Sequence, residues 1–113
     1  MITSADSAYL RLSLMRPRRG QSARALALMD ELIEYYAGQP GYIDAYTLAG
    51  DEDAGGDIGR VTLWRTEQDA DRVATSAHVL ALRADLLRCV EDESGVERGF
   101  DAKAGPLGAV MAL

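Results

Sequence analysis

Apolar and polar residues alternate from Tyr9 to Met15. Leu10, Leu12 and Leu14 fall on one side, and Tyr9, Arg11, Ser13 and Met15 on the other. A period of two predicts a strand. Arg16-Pro17-Arg18-Arg19-Gly20 ends it, since Pro17 has no ladder donor and Gly20 admits a sharp turn. From Ser22, a candidate N-cap, to about Ala37 the period changes. Leu26, Met29, Ile33 and Tyr36, flanked by Ala25, Leu28 and Leu32, form an apolar stripe at helical spacing, with Asp30, Glu31 and Glu34 on the wet side. Gly38 and Pro40 stop the helix.

Tyr42 to Leu48 predicts a second strand, and Ile58 to Arg65 a third, joined by a hairpin. Asp51, Asp53 and Asp57 have a calcium loop's composition, but Gly55 falls on a ligand position, so they are expected to be a solvated tip. On the third strand Val61 and Leu63 share one face, and Arg60, Thr62 and Trp64 the other. Thr66 caps a second helix, with Asp69 placed for a capping box. A break is expected at Thr75-Ser76. The helix then resumes through Val79, Leu82, Leu86 and Val90, until Gly95 and a fourth strand, Val96 to Asp101. The order β-α-β-β-α-β predicts an α+β ferredoxin-like βαββαβ fold, with a four-stranded antiparallel sheet and helices on one face. The divisions are a flexible N-terminus at 1–7, one domain at 8–102 and a small apolar tail at 103–113.

The leucines of strand one and Val61 and Leu63 are expected to face the helices. The other sheet face then carries Tyr9, Arg11, Ser13, Met15, Arg60, Thr62 and Trp64. It is too aromatic for water and too polar for a dry core, which suits a ligand pocket. The simplest cover is a second copy of the chain, since twofold homodimers are the commonest oligomers.

A chain of 113 residues forms one domain with a modest core. A net charge of −6 argues against nucleic acid and against anionic membranes as partners. Cys89 is the single cysteine, so no intrachain disulfide forms and a reducing compartment is expected. The N-terminus lacks a signal pattern, and no apolar run approaches the roughly 20 residues of a bilayer span. The expected location is the cytoplasm.

Several features taken in order resemble the antibiotic biosynthesis monooxygenase-like family of dimeric α/β barrels. They are the turn Pro17 to Gly20, Gln39-Pro40-Gly41-Tyr42, Leu63-Trp64-Arg65-Thr66-Glu67, Ser76-Ala77-His78, Leu82-Arg83-Ala84-Asp85-Leu86 and Glu97-Arg98-Gly99-Phe100-Asp101. The resemblance covers roughly residues 8–102 and implies a homodimer. It also implies oxidation of a small aromatic, polyketide-type molecule by molecular oxygen without metal or flavin. Trp64 matches the pocket Trp of that branch, and Arg83 meets an Arg of the second helix. Arg60 stands where the branch has Asn, and Ala70 near where it has a pocket Tyr. A haem-degrading branch is the alternative. Trp64 and His78 match it in kind, with His78 as axial ligand, while Ser13 replaces its strand-one Asn.

The candidate roles follow from side-chain chemistry. His78 is a candidate base, or else a solvated helix-start residue. Trp64 stacks on substrate, or else packs an interface. Arg11 and Arg60 hold an oxyanion, or else pair with carboxylates. Ser13, Thr62 and Arg83 complete the expected binding set. No cofactor is expected. The remaining alternative is a non-catalytic dimer that binds a small ligand.

Overall fold

The computed structural model describes residues 7–51 and 56–105. Asp53 and Gly55 of the expected hairpin tip lie outside the described residues. So do the tail from Pro106 onward and residues 1–6 of the expected N-terminal segment. The elements are β1 (Ser7–Met15), α1 (Ser22–Ala37), β2 (Tyr42–Ala49), β3 (Ile58–Trp64), α2 (Glu67–Ala74), α3 (Ala77–Leu87) and β4 (Val96–Lys103). The four strands form one antiparallel sheet in the order β2-β3-β1-β4. This is the α+β ferredoxin-like arrangement that the periodicities predict. β4 runs to Lys103, two residues past the expected strand end at Asp101 and onto the first residue of the expected tail.

Helix α1 buries Ala25, Leu28, Met29, Leu32 and Tyr36, one stripe at helical spacing. Its N-cap is Gln21, which makes no side-chain cap bond, and Ser22 is the first helical residue. The second helical stretch is broken where expected. Thr66 accepts from the Asp69 N–H to start α2, and Ser76 accepts from the Val79 N–H to start α3. α3 ends at Leu87, short of Val90, which instead bridges to Pro17 and closes the far end of the core. Gly41 has φ +90° and its missing side chain leaves room for the Asp69 carboxylate. The loop from α1 to β2 can thereby lie against the start of α2.

The sheet faces are the reverse of the expected ones. Ile58, Arg60, Thr62 and Trp64 of β3, with Ser13 and Met15 of β1, are buried, and the apolar ones belong to the same core cluster as the buried stripe of α1. The polar-aromatic face is therefore the helix-covered one. Paired strand residues share a face. Leu10 pairs with both Leu63 and Phe100, Leu12 with Val61, and Leu14 with Val96. These seven residues lie on the uncovered face, where Val96 and Phe100 are exposed and the rest half-buried. Alternation places residues on opposite sides of a strand but does not say which side receives the helices. Here both sides are apolar enough to be covered.

Candidate functional site

β1 and β3 are direct neighbours, and their register builds the floor of a cavity. Ser13 lies beside Arg60, and Arg11 beside Thr62. Trp64 ends the row, one step further along β3. Tyr36 of α1 and Ala70 and Ala74 of α2 form the roof, and Arg83 of α3 and Glu97 of β4 close one side. The hollow holds about 20 Å³ for water-sized occupants, enough for a water molecule.

Polar groups make up most of the cavity's deep end. Ser13 is 3% exposed, Arg60 5%, Thr62 3% and Trp64 2%. The Trp64 indole N–H donates to the Thr62 hydroxyl at 2.9 Å. The ring is gripped edge-on by Tyr36, 5.6 Å away between centroids, and by Tyr42, 5.9 Å away. Such edge contacts add to the burial of a large ring and fix its orientation.

The outer end is built from two ion pairs. Arg11 of β1 reaches Asp71 of α2 at 2.8 Å and also donates to the Tyr9 hydroxyl at 3.2 Å. Its guanidinium carbon lies 5.2 Å from the Tyr9 ring centroid, within cation–π range. Burial works against the charged form of Arg11, but the bonds to Asp71 and Tyr9 outweigh it and raise its pKa. Tyr9 in turn lies over Gly99, where a side chain would collide with the phenol hydroxyl. Arg83 of α3 pairs with Glu97 of β4 at 2.8 Å.

Arg60 differs from these two cations. It donates to the Met29 sulfur at 3.5 Å, a weak acceptor. Among the described residues no carboxylate pairs with it.

Six of the seven sequence-derived site residues therefore meet around one cavity: Arg11, Ser13, Arg60, Thr62, Trp64 and Arg83. The seventh, His78, does not join them. It is exposed at the start of α3 and stacks on Tyr35, with ring centroids 4.3 Å apart, beside Glu31 and Glu34 on the outer surface. The α3 residue next to His78 that turns inward is Val79, fully buried. His78, the axial ligand of the haem alternative, lies outside the cavity that holds the Trp64 indole. Sequence reasoning missed Glu97 and Tyr36 as wall residues, and Asp71 as the partner of Arg11. Glu97 reaches the site because β4 lies next to β1 in the sheet and the register sets Glu97 against Ser13.

No family model matches the sequence, and no curated protein matches it. Solved structures do match the fold. SnoaB, a cofactor-independent oxygenase from Streptomyces nogalater, aligns with TM-score 0.75 and 14% identity over 88% of this chain and 96% of its own. Rv0793 from Mycobacterium tuberculosis aligns with TM-score 0.74 and 17% identity, over 88% of this chain and 97% of its own. A Nitrosomonas europaea protein, provisionally assigned as an antibiotic biosynthesis monooxygenase, aligns with TM-score 0.72 and 14% identity over 86% and 89%. At these identities the likeness establishes a shared fold. Among the described residues no helix is long and apolar enough to cross a membrane.

Proposed function

We propose that this chain is a monooxygenase that needs no metal or flavin, and that it oxidises a small aromatic, polyketide-type molecule in the cavity beneath its helices. The observation that carries this reading is the buried row Arg60, Thr62 and Trp64. It places a cation, a hydroxyl and a large aromatic face together in a sheltered hollow. The shared fold with a cofactor-independent oxygenase supports it.

The reaction class is oxidation of an activated methylene group by one molecule of dioxygen, giving a ketone and one molecule of water. A base takes a proton from the methylene carbon. The carbanion reduces oxygen and bonds to it, and the resulting hydroperoxide loses water to give the carbonyl. One oxygen atom ends on carbon and the other in water. Glu97 is the carboxylate on the cavity wall, and it takes the place that sequence reasoning gave to His78 as proton acceptor. Arg11 stabilises the enolate oxygen as charge moves onto it, and Arg60 holds the substrate at the deep end. Trp64 stacks on the ring. Entry of a ring requires the roof to lift, and α2 is a suitable lid. It has eight residues and is set off from α3 by the break at Thr75–Ser76.

A second copy covers the uncovered leucine face, giving a homodimer whose two cavities lie on its outer sides. The dimer expected from sequence is kept, but with the opposite sheet face at its interface.

The test is oxygen uptake with an anthrone. Uptake with one quinone formed per oxygen consumed, lost in Trp64→Ala, supports the reading. Absence of uptake in a protein that still binds the anthrone makes the chain a binding protein and removes the oxygenase.

A further inference from the structure

The three arginines around the cavity are not equivalent. Arg11 is neutralised by Asp71 and Arg83 by Glu97. Arg60, the deepest of the three, has a methionine sulfur in place of a carboxylate. The described residues therefore leave one uncompensated positive charge at the closed end of the hollow. Removing a guanidinium from water without a partner costs several kcal/mol, and buried charges are ordinarily paired for that reason. Replacing buried ionic groups by well-packed apolar residues is often neutral or stabilising, so an unpaired one calls for a reason beyond folding.

We propose that Arg60 is a receptor for a carboxylate carried by the ligand, so that the substrate enters the cavity already anionic. This rests on the cavity assigned under the proposed function and narrows its substrate to an aromatic acid. The local chemistry suits a planar anion. A guanidinium offers paired N–H donors matched to the two oxygens of a carboxylate. Ser13 lies directly beside Arg60 in the strand register, and its buried hydroxyl lines the same hollow. The Thr62 hydroxyl accepts from the indole, so its own hydrogen remains available as a donor. A cation, two hydroxyls and an aromatic ring are the groups expected around the acid end of an aromatic acid. The ion pairs of Arg11 and Arg83 lie further out and already carry their own counter-charges. The ligand's own charge therefore belongs with Arg60.

The chain supplies its own probe, because Trp64 is its only tryptophan and lies in the cavity. Indole fluorescence of the full chain is titrated with benzoate and with benzamide, its neutral isostere, at matched ionic strength. Acetate and acetamide form a second pair that needs less space. The expected result is at least tenfold tighter binding of the acid in one pair or both. That preference falls to about one in Arg60→Met and is partly kept in Arg60→Lys. Arg60→Met is also expected to melt above the wild type without ligand, and acetate to raise the wild-type melting temperature but not the variant's. Equal binding of acid and amide by the wild type overturns the proposal, as does failure of all four to bind. A preference that survives in Arg60→Met overturns it too. If that variant does not fold, the wild-type pairs and Arg60→Lys still decide. Oxygen uptake is read separately. An acid preference without turnover keeps the receptor and removes the oxygenase, and turnover of neutral anthrones without acid preference does the reverse.

Discussion

Trp64 donates its indole N–H to the hydroxyl of Thr62, two residues earlier on the same face of β3. The ring's polar atom is thus satisfied by its own strand, which leaves its face free for the cavity. Both residues are almost fully buried, so water cannot replace the bond. Thr62→Val keeps the shape and strands the N–H. It is expected to cost about 1–3 kcal/mol, the usual penalty for a buried unsatisfied donor. Urea unfolding, with an unchanged slope and a lower midpoint, checks it.

Trp64 is expected to matter more to turnover than to assembly. Trp64→Phe keeps an aromatic ring between Tyr36 and Tyr42 but loses the indole's extent and its anchor on Thr62. Turnover of an anthrone should fall at least tenfold while sedimentation stays that of the wild type. Unchanged oxygen uptake contradicts a substrate-stacking role.

His78 lies on the outer surface, stacked on Tyr35. His78→Ala is expected to leave oxygen uptake within twofold of wild type and to change stability by less than about 1 kcal/mol, as surface substitutions do. A large loss of activity measured with an oxygen electrode returns the base role to this residue.

Asp69 bonds Arg72 at 2.8 Å and also interacts with Thr66, and both hold its carboxyl below its usual value of 3.8. A depressed folded-state pKa stabilises the fold above the unfolded value. The contribution is lost as pH falls through the folded one. Asp69→Asn should therefore be the less stable protein at pH 7. The gap should close as pH drops below 3.8, as read by urea midpoints at a series of pH values.

Leu12 sits in the middle of the uncovered sheet face, paired with Val61 on one side and Arg98 on the other. If a second copy covers this face, Leu12→Asp brings a carboxylate into the interface beside Arg98, at a desolvation cost that the ion pair does not repay, and splits the dimer. Analytical ultracentrifugation should show twice the chain mass for the wild type and the single chain for the variant. A wild type of single-chain mass contradicts the dimer.

The element order and most boundaries are legible in the chain, because each rests on a local signal. The β1 alternation, the α1 stripe and the caps at Thr66 and Ser76 all appear in the structure. The cavity's residues are legible too, since Arg60, Thr62 and Trp64 share a face on any reading of a strand. What covers that face was not legible. Leu10, Leu12 and Leu14 look like a core-facing set, and they would be one if this sheet had a single apolar side. The position of His78 was not legible either. A rotation of one residue about α3, about 100°, separates an inward side chain from an outward one. The weak amphipathicity around Ala77, Leu80 and Ala81 gives no phase.

Ala70 and Ala74 stand one turn apart on α2, directly above the buried row. The hollow exists because these two side chains are single methyl groups. Leucine at either position would fill it while every charged and aromatic residue beneath stayed the same in sequence. The size of ligand admitted is thus written separately from the chemistry applied to it, on one short helix. A lineage carrying this scaffold has two positions at which to change its choice of molecule and keep the rest.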